Sequence, residues 1–353
     1  MTGRPSTLRE FLQKAGPARL LRLAYLKTLR ERTQIDRTRA QLNLALQGGG
    51  ALGAFTWGVL DRLCEEPGLR VGAISGASAG ALNGAVFITG LAKGGPQGAA
   101  RALKAFWTEI SNAAALANLI LAPMMLGARQ DAWQRAFRGA PALGVNALAD
   151  ILPRHVDFGA LRALGAPRFY VSATNVLTTT PHIFTNETVS LDALLASACI
   201  PTLHPTVWID GVPYWDGGFS ANPAVAPLLH GGGDRTLLVR LLRATTATPP
   251  KDAVEIDTQI KTILFSRPLD DELARIARVD PASAARIDEI DATAYASSAR
   301  LTSHPTPHLV QGLFADGRAA ATAYFDGLRT RAHTDDGEAT PDLEISAEQR
   351  VLP

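Results

Sequence analysis

The stretch Val71-Gly72-Ala73-Ile74-Ser75-Gly76-Ala77-Ser78-Ala79-Gly80 runs from an apolar, strand-like segment into Ala81 to Leu91, which has helical spacing. A serine with Gly76 two residues before it and Gly80 two after fits a nucleophile elbow. In such a turn the chain reverses from strand to helix, and the serine oxygen projects above the sheet edge from a strained backbone. Strand and helix approach closely there, so small neighbours are needed, and Ala77 and Ala79 keep the intervening positions small. Alone the pattern says little in a chain with 31 glycines. Its meaning depends on what surrounds it.

Upstream, Leu42 to Leu46 is a short apolar strand that ends in Gln47-Gly48-Gly49-Gly50-Ala51-Leu52-Gly53, and Ala54 to Glu65 follows with Phe55, Val59, Leu60 and Leu63 at helical spacing. Downstream, Ala99 to Ser111 reads as a helix and Phe169 to Ala173 as a core strand. Val207 to Ile209 and Val212 to Tyr214 flank the hairpin dipeptide Asp210-Gly211, and Thr236 to Leu242 is another buried strand. This alternation predicts an α/β fold, a three-layer α/β/α sandwich with a mainly parallel central sheet. Four regions are expected: a basic amphipathic segment at 1–40, a catalytic domain at 41–243, a helical portion at 244–333 packing on it, and an acidic, disordered tail at 334–353. The Thr/Pro-rich run Ala244 to Pro250 is the break between the second and third.

Composition sets limits on function. Across 353 residues, 46% are hydrophobic and 19% charged, which suits a globular chain with a sizeable core, and a net charge of +2 gives no general attraction to nucleic acid. The two cysteines, Cys64 and Cys199, are far apart; they imply no disulfide framework and no metal site. Arg19, Arg22, Lys27, Arg30 and Arg32 alternate with Leu20, Leu21, Leu23, Leu26 and Leu29. That segment has neither a secretory cleavage pattern nor an apolar run able to span a bilayer. It reads as an arm packed on its own domain or as a peripheral contact with anionic lipid, in a cytoplasmic protein.

Two chemistries compete for the glycine-rich turn. Gly48, Gly50 and Gly53 satisfy G-x-G-x-x-G, but dinucleotide binding also calls for an acid at the end of the second strand, where this chain has Ser75-Gly76-Ala77-Ser78. Acyl transfer uses the same geometry as an oxyanion hole, with the backbone N–H groups of Gly48, Gly49, Gly50 and Ala51 receiving the charge on a tetrahedral oxygen. Ser78 needs a base. His230, His304 and His308 lie downstream without a distinctive setting, whereas Asp216 ends a hairpin strand and is followed by Gly217-Gly218, between Trp215 and Phe219. A carboxylate desolvated there gains proton affinity, the direction a base requires. The plainer reading of the same tripeptide is an Asp-Gly turn.

Taken together, Gly48 to Gly53, Gly76 to Gly80 and Asp216-Gly217-Gly218 resemble, in order, the motifs of the patatin-like phospholipases, a family of serine lipid acyl hydrolases. Secondary similarity lies in Ala173-Thr174-Asn175, Ala196-Ser197-Ala198-Cys199-Ile200-Pro201 and Asn222-Pro223. The resemblance covers about Leu42 to Leu242. It implies a Ser78–Asp216 dyad without a catalytic histidine, an acyl-enzyme intermediate, a lipid or other acyl ester substrate and no cofactor. Leu52 stands where many members carry Arg or Lys, which removes a phosphate-binding charge and leaves phospholipid, neutral lipid and other esters open as substrates. A non-catalytic lipid-binding protein of this fold and a dinucleotide-binding oxidoreductase are the alternatives.

Ala113 to Ala128, with Leu116, Leu119, Ile120, Leu121, Met124, Met125 and Leu126, has no charge. It reads either as a lid or wall of an acyl channel or as a core helix, being too short to span a bilayer. Replacing Leu121 and Met125 together by Asp separates these: loss of folded protein marks a core helix, and a folded variant impaired only on long acyl chains marks the channel.

Overall fold

The computed structural model describes residues 41–68, 70–126, 147–201, 203–229, 235–246, 248–294 and 306–335. The basic segment 1–40, the tail from 336 onward, His230 and His304 lie outside them.

The chain alternates as its sequence period requires. Strand β1 (Gln41–Leu46) leads through the glycine turn and a short 3-10 turn (Gly50–Leu52) into α1 (Gly53–Leu63), and β2 (Arg70–Ala77) leads through Ser78 into α2 (Ala79–Leu126). The two helices expected at 81–91 and 99–111 lie along this one path, which breaks where Gly94 and Gly95 leave helical geometry. The apolar run expected as channel wall or core continues α2 as far as Leu126; its side chains from 115 on, and residues 127 and 128, are outside the described residues. Next come α3 (Ala147–His155), α4 (Phe158–Arg162), β3 (Arg168–Asn175), β4 (Pro181–Phe184), α5 (Leu191–Ser197), β5 (Val207–Ile209) and β6 (Val212–Asp216). The chain ends with α6 (Ala226–Leu229), β7 (Arg235–Arg240), α7 (Ala253–Val279), α8 (Pro281–Ala284), β8 (Ile287–Asp291) and α9 (Pro307–Asp335).

Strand alternation builds the three layers. Successive side chains point to opposite faces, so Leu44, Leu46, Ile74, Phe169, Val171, Leu237 and Val239 enter one core with α1, α2, α5 and α9. Ala45, Ala73 and Leu238 enter a smaller core with Val225, Leu228, Leu269 and Ile276 of the α6 and α7 layer. Strands β8, β7, β1, β2 and β3 run parallel in that order. The hairpin expected at Asp210-Gly211 joins β5 and β6, with both turn residues at positive φ.

Two strands, β4 and β8, are not legible in the sequence. The part after 243, expected to be helical, also supplies β8, so it shares a sheet with the preceding region. The acidic residues of Ile287-Asp288-Glu289-Ile290-Asp291 disguise it, because they face arginines on and just after β7: Arg235 bonds Asp288, Arg240 pairs with Glu289 at 3.1 Å, and Arg243 bonds Glu289 and Asp291.

Strand β3 positions the site. Its residues 171–174 pair with β4 along one edge, and its residues 168–172 pair with β2 along the other. At Ala173 that second edge passes from β2 to the antiparallel β6: Ser172 is opposite Ala77, and Ala173 is opposite Asp216. The end of β6 therefore meets the point where β2 turns into α2.

That turn is tight. A Cβ on Gly80 would lie 2.0 Å from the carbonyl oxygen of Leu46, so α2 rests directly on the end of β1. Gly80→Ala is expected to cost on the order of 3 kcal/mol or more, whereas Gly312→Ala on α9, where a Cβ meets nothing within 4 Å, is expected to gain about 0.5–1 kcal/mol. Urea unfolding of the two variants checks the contrast.

Candidate active site

Ser78 sits between β2 and α2 at φ 50, the left-handed region that non-glycine residues seldom occupy. The strain anticipated from Gly76 and Gly80 is present. Two bonds hold it: the Ser78 N–H donates to Ser197 Oγ at 2.9 Å, and the Ser78 carbonyl accepts the Leu82 N–H at 3.1 Å, which caps α2. The side chain is close to the surface without being open, at 6% exposure.

Asp216 is fully buried. Its backbone N–H donates to Cys199 O at 2.8 Å, its carbonyl accepts from Thr174 Oγ1 at 2.7 Å, and Oδ1 accepts the Gly218 N–H at 2.8 Å. The Asp-Gly turn expected as the plain reading is thus present together with the burial. Burial is the largest influence on the carboxyl and lifts its pKa from 3.8 to about 7, against the opposing pulls of the Gly218 N–H and the Ser78 hydroxyl. Oδ2 has no hydrogen bond of acceptable geometry, although the Ser78 hydroxyl is near enough to favour the charged form. The two side chains are neighbours that are not aligned for a hydrogen bond.

The glycine turn lies against this pair. A Cβ on Gly48 would meet Ser78 Cβ at 2.7 Å and the Ala77 carbonyl at 2.8 Å, so only glycine allows the approach. Its N–H is already taken by Asn222 Oδ1 at 2.8 Å. Of the expected donors Gly48, Gly49, Gly50 and Ala51, Gly48 is therefore engaged in holding the turn. The N–H groups of Gly49 and Gly50 meet no acceptor among the described residues, and Gly50 has φ 59. Gly53 and the following helix are tied to α2 through Asn83, whose Nδ2 donates to the carbonyls of Gly53 and Ala79 and whose Oδ1 accepts from Trp107. Leu52 is a core residue at 2% exposure.

Gly217 and Gly218 allow equally close contacts. A Cβ at the first would lie 2.2 Å from Ser172 O, and at the second 2.3 Å from the Phe265 ring, so α7 covers the Asp216 turn directly. Of the histidines weighed as bases, His308 is exposed at the start of α9. Among the described residues, no group of three His, Cys, Asp or Glu side chains is placed to hold a metal ion, and no helix is long and apolar enough to cross a membrane. A cavity of about 830 Å³ lies beside the starts of β1, β2 and β3, at the opposite end of the sheet from Ser78.

What results is a three-layer α/β protein with a strained serine and a buried carboxyl above the C-terminal ends of its parallel strands. The family model described as patatin-like phospholipase matches residues 44–229, and the chain belongs to that family. No curated protein gives a match. Among solved structures, VipD from Legionella pneumophila is 15% identical, with a TM-score of 0.39, over 82% of this chain and 67% of that one. The type III effector ExoU is 16% identical, with a TM-score of 0.33, over 81% and 53%. The ExoU–SpcU complex of Pseudomonas aeruginosa is 17% identical, with a TM-score of 0.30, over 86% and 64%.

The raised Asp216 pKa fixes a stability dependence. The folded state holds this proton more firmly than the unfolded chain, so its contribution is intact below about pH 4 and is lost as pH rises through 7. Asn at 216 keeps the Gly218 acceptor and does not ionise. The stability of Asp216→Asn relative to wild type should therefore rise by a few kcal/mol between pH 4 and pH 8, measured by denaturant unfolding at each pH.

Proposed function

We propose that the chain hydrolyses carboxylic esters of lipids through Ser78 as nucleophile and Asp216 as general base. The observation that carries this reading is the pairing of a strained serine with a fully buried carboxyl whose pKa is raised into the neutral range. Family membership supports a lipid ester as substrate.

Ser78 Oγ attacks the ester carbonyl carbon while Asp216 takes its proton. The new oxyanion is received by the N–H groups of Gly49 and Gly50, with the first turn of α2 adding favourable dipole. Collapse breaks the bond to the alcohol, which leaves with the proton from Asp216. Water then gives a proton to Asp216 and attacks the acyl-enzyme; the carboxylic acid departs, and the proton returns to Ser78. Burial makes Asp216 basic enough for this and leaves it about half ionised near pH 7. A peripheral contact of segment 1–40 with anionic lipid belongs to the same reading. With Leu52 in the core, the glycine turn offers no side-chain cation at that position, so the reading extends to neutral lipid esters.

A fluorophosphonate ester probe tests the nucleophile: wild type labels and Ser78→Ala does not. With a soluble ester, kcat/KM of wild type should fall about tenfold per pH unit below 7, and Asp216→Asn should retain about 1% of wild-type activity or less. Absence of labelling in folded wild type overturns the hydrolase, and full activity in Asp216→Asn overturns the dyad.

A further inference from the structure

We propose that Asn222 is a positioning residue for the acyl-transfer step, holding the glycine turn in register on Ser78 and joining that turn to α7. This rests on the hydrolase reading above and adds to it the part that sets the oxyanion donors.

Asn222 follows Asp216 by six positions and has no exposed surface. Its Oδ1 accepts the Gly48 N–H at 2.8 Å, and its Nδ2 donates to Phe265 O at 2.8 Å and, more weakly, to Gly48 O at 3.5 Å. The partners fix the orientation of the amide, because an N–H can meet only the oxygen and a carbonyl only the NH₂. From the turn after Asp216, one side chain thus bonds two other pieces of backbone, the glycine turn and α7.

Gly48 leaves little freedom. It is pressed against Ser78 Cβ and Ala77 O, so a rotation of its peptide would displace the turn whose Gly49 and Gly50 N–H groups are the oxyanion donors of the hydrolase reading. Oxyanion stabilisation depends on donors being fixed before the charge develops, since a donor that must reorganise loses most of its effect. A structural role alone would be to satisfy two buried backbone groups. Asn43, in β1, does that kind of work: it is buried, and its Nδ2 donates to Leu228 O at 2.9 Å.

The test compares wild type, Asn222→Ala, Asn222→Asp and Asn43→Ala as full chains, by urea unfolding and on a soluble p-nitrophenyl ester. Both alanine variants should lose stability. Only Asn222→Ala should lose kcat, by about tenfold or more, with KM within about threefold and the acid limb of the pH profile still near 7, because Asp216 is untouched. In Asn222→Asp a protonated carboxyl can accept from Gly48 and donate to Phe265, reproducing both bonds. Burial near the Asp216 and Glu272 carboxyls, the latter accepting from Val225 and Ala226 N–H, favours that protonated form. The activity of Asn222→Asp relative to wild type should therefore be highest at low pH and fall as pH rises.

Wild-type kcat in folded Asn222→Ala, or an equal kcat loss in Asn43→Ala, overturns the proposal. If Asn222→Ala does not fold, a pH-independent ratio for Asn222→Asp does the same. If wild type neither labels nor turns over, the hydrolase reading falls, and amide exchange at 48–52 decides the positioning. It must be faster in Asn222→Asp at high pH than in Asn43→Ala, and equal rates reject it.

Discussion

Everything at the site depends on one hydrogen-bonded edge of β3 being shared end to end by two strands. β2 occupies it through Ser172 and β6 from Ala173 onward. Because the strands meet from opposite directions, the last residue of β6 arrives where β2 ends and its chain turns. Backbone pairing, rather than side-chain attraction, brings Asp216 beside Ser78. That matters energetically: a buried carboxyl contributes nothing favourable to such an approach, so something stronger has to enforce it.

Under the proposed hydrolase reading, the same burial makes the carboxyl useful. In water an aspartate is too weak a base to take a proton from a serine, and here desolvation moves its pKa to about 7. The fold bears that destabilisation through the two cores on either side of the sheet and through bonds that fix the Asp216 backbone to Cys199 and Thr174. The strained φ of Ser78 is held in the same way, by Ser197 on one side and the α2 cap on the other. Strain and desolvation are concentrated in two residues while their surroundings are well bonded.

Local sequence rules reach far into this molecule. Glycine spacing located the elbow, apolar period located β1, β2, β3, β7 and the helices beside them, and the setting of Asp216 between Trp215 and Phe219 marked a carboxylate open to desolvation. What escaped them is relational. β8 lies in a part expected to be helical, and its acidic residues hide it until the arginines on and just after β7 stand opposite it. Asn222 looks like any turn asparagine, since its partners lie 174 and 43 positions away in sequence. The engagement of the Gly48 N–H was equally out of reach, because a glycine motif specifies room for the backbone and not which N–H groups remain free.

The strand added by the C-terminal region has a consequence for how this protein can be inherited or divided. The three main motifs fall within 48–218, yet the sheet is completed only at β8 and its second face only by α7. A gene fragment ending just after β7 would carry all of the chemistry's letters while leaving an apolar strand with an unpaired edge, a template for association with other chains. The heritable unit is therefore longer than the recognisable one, and recombination that respects only the motifs would produce aggregates.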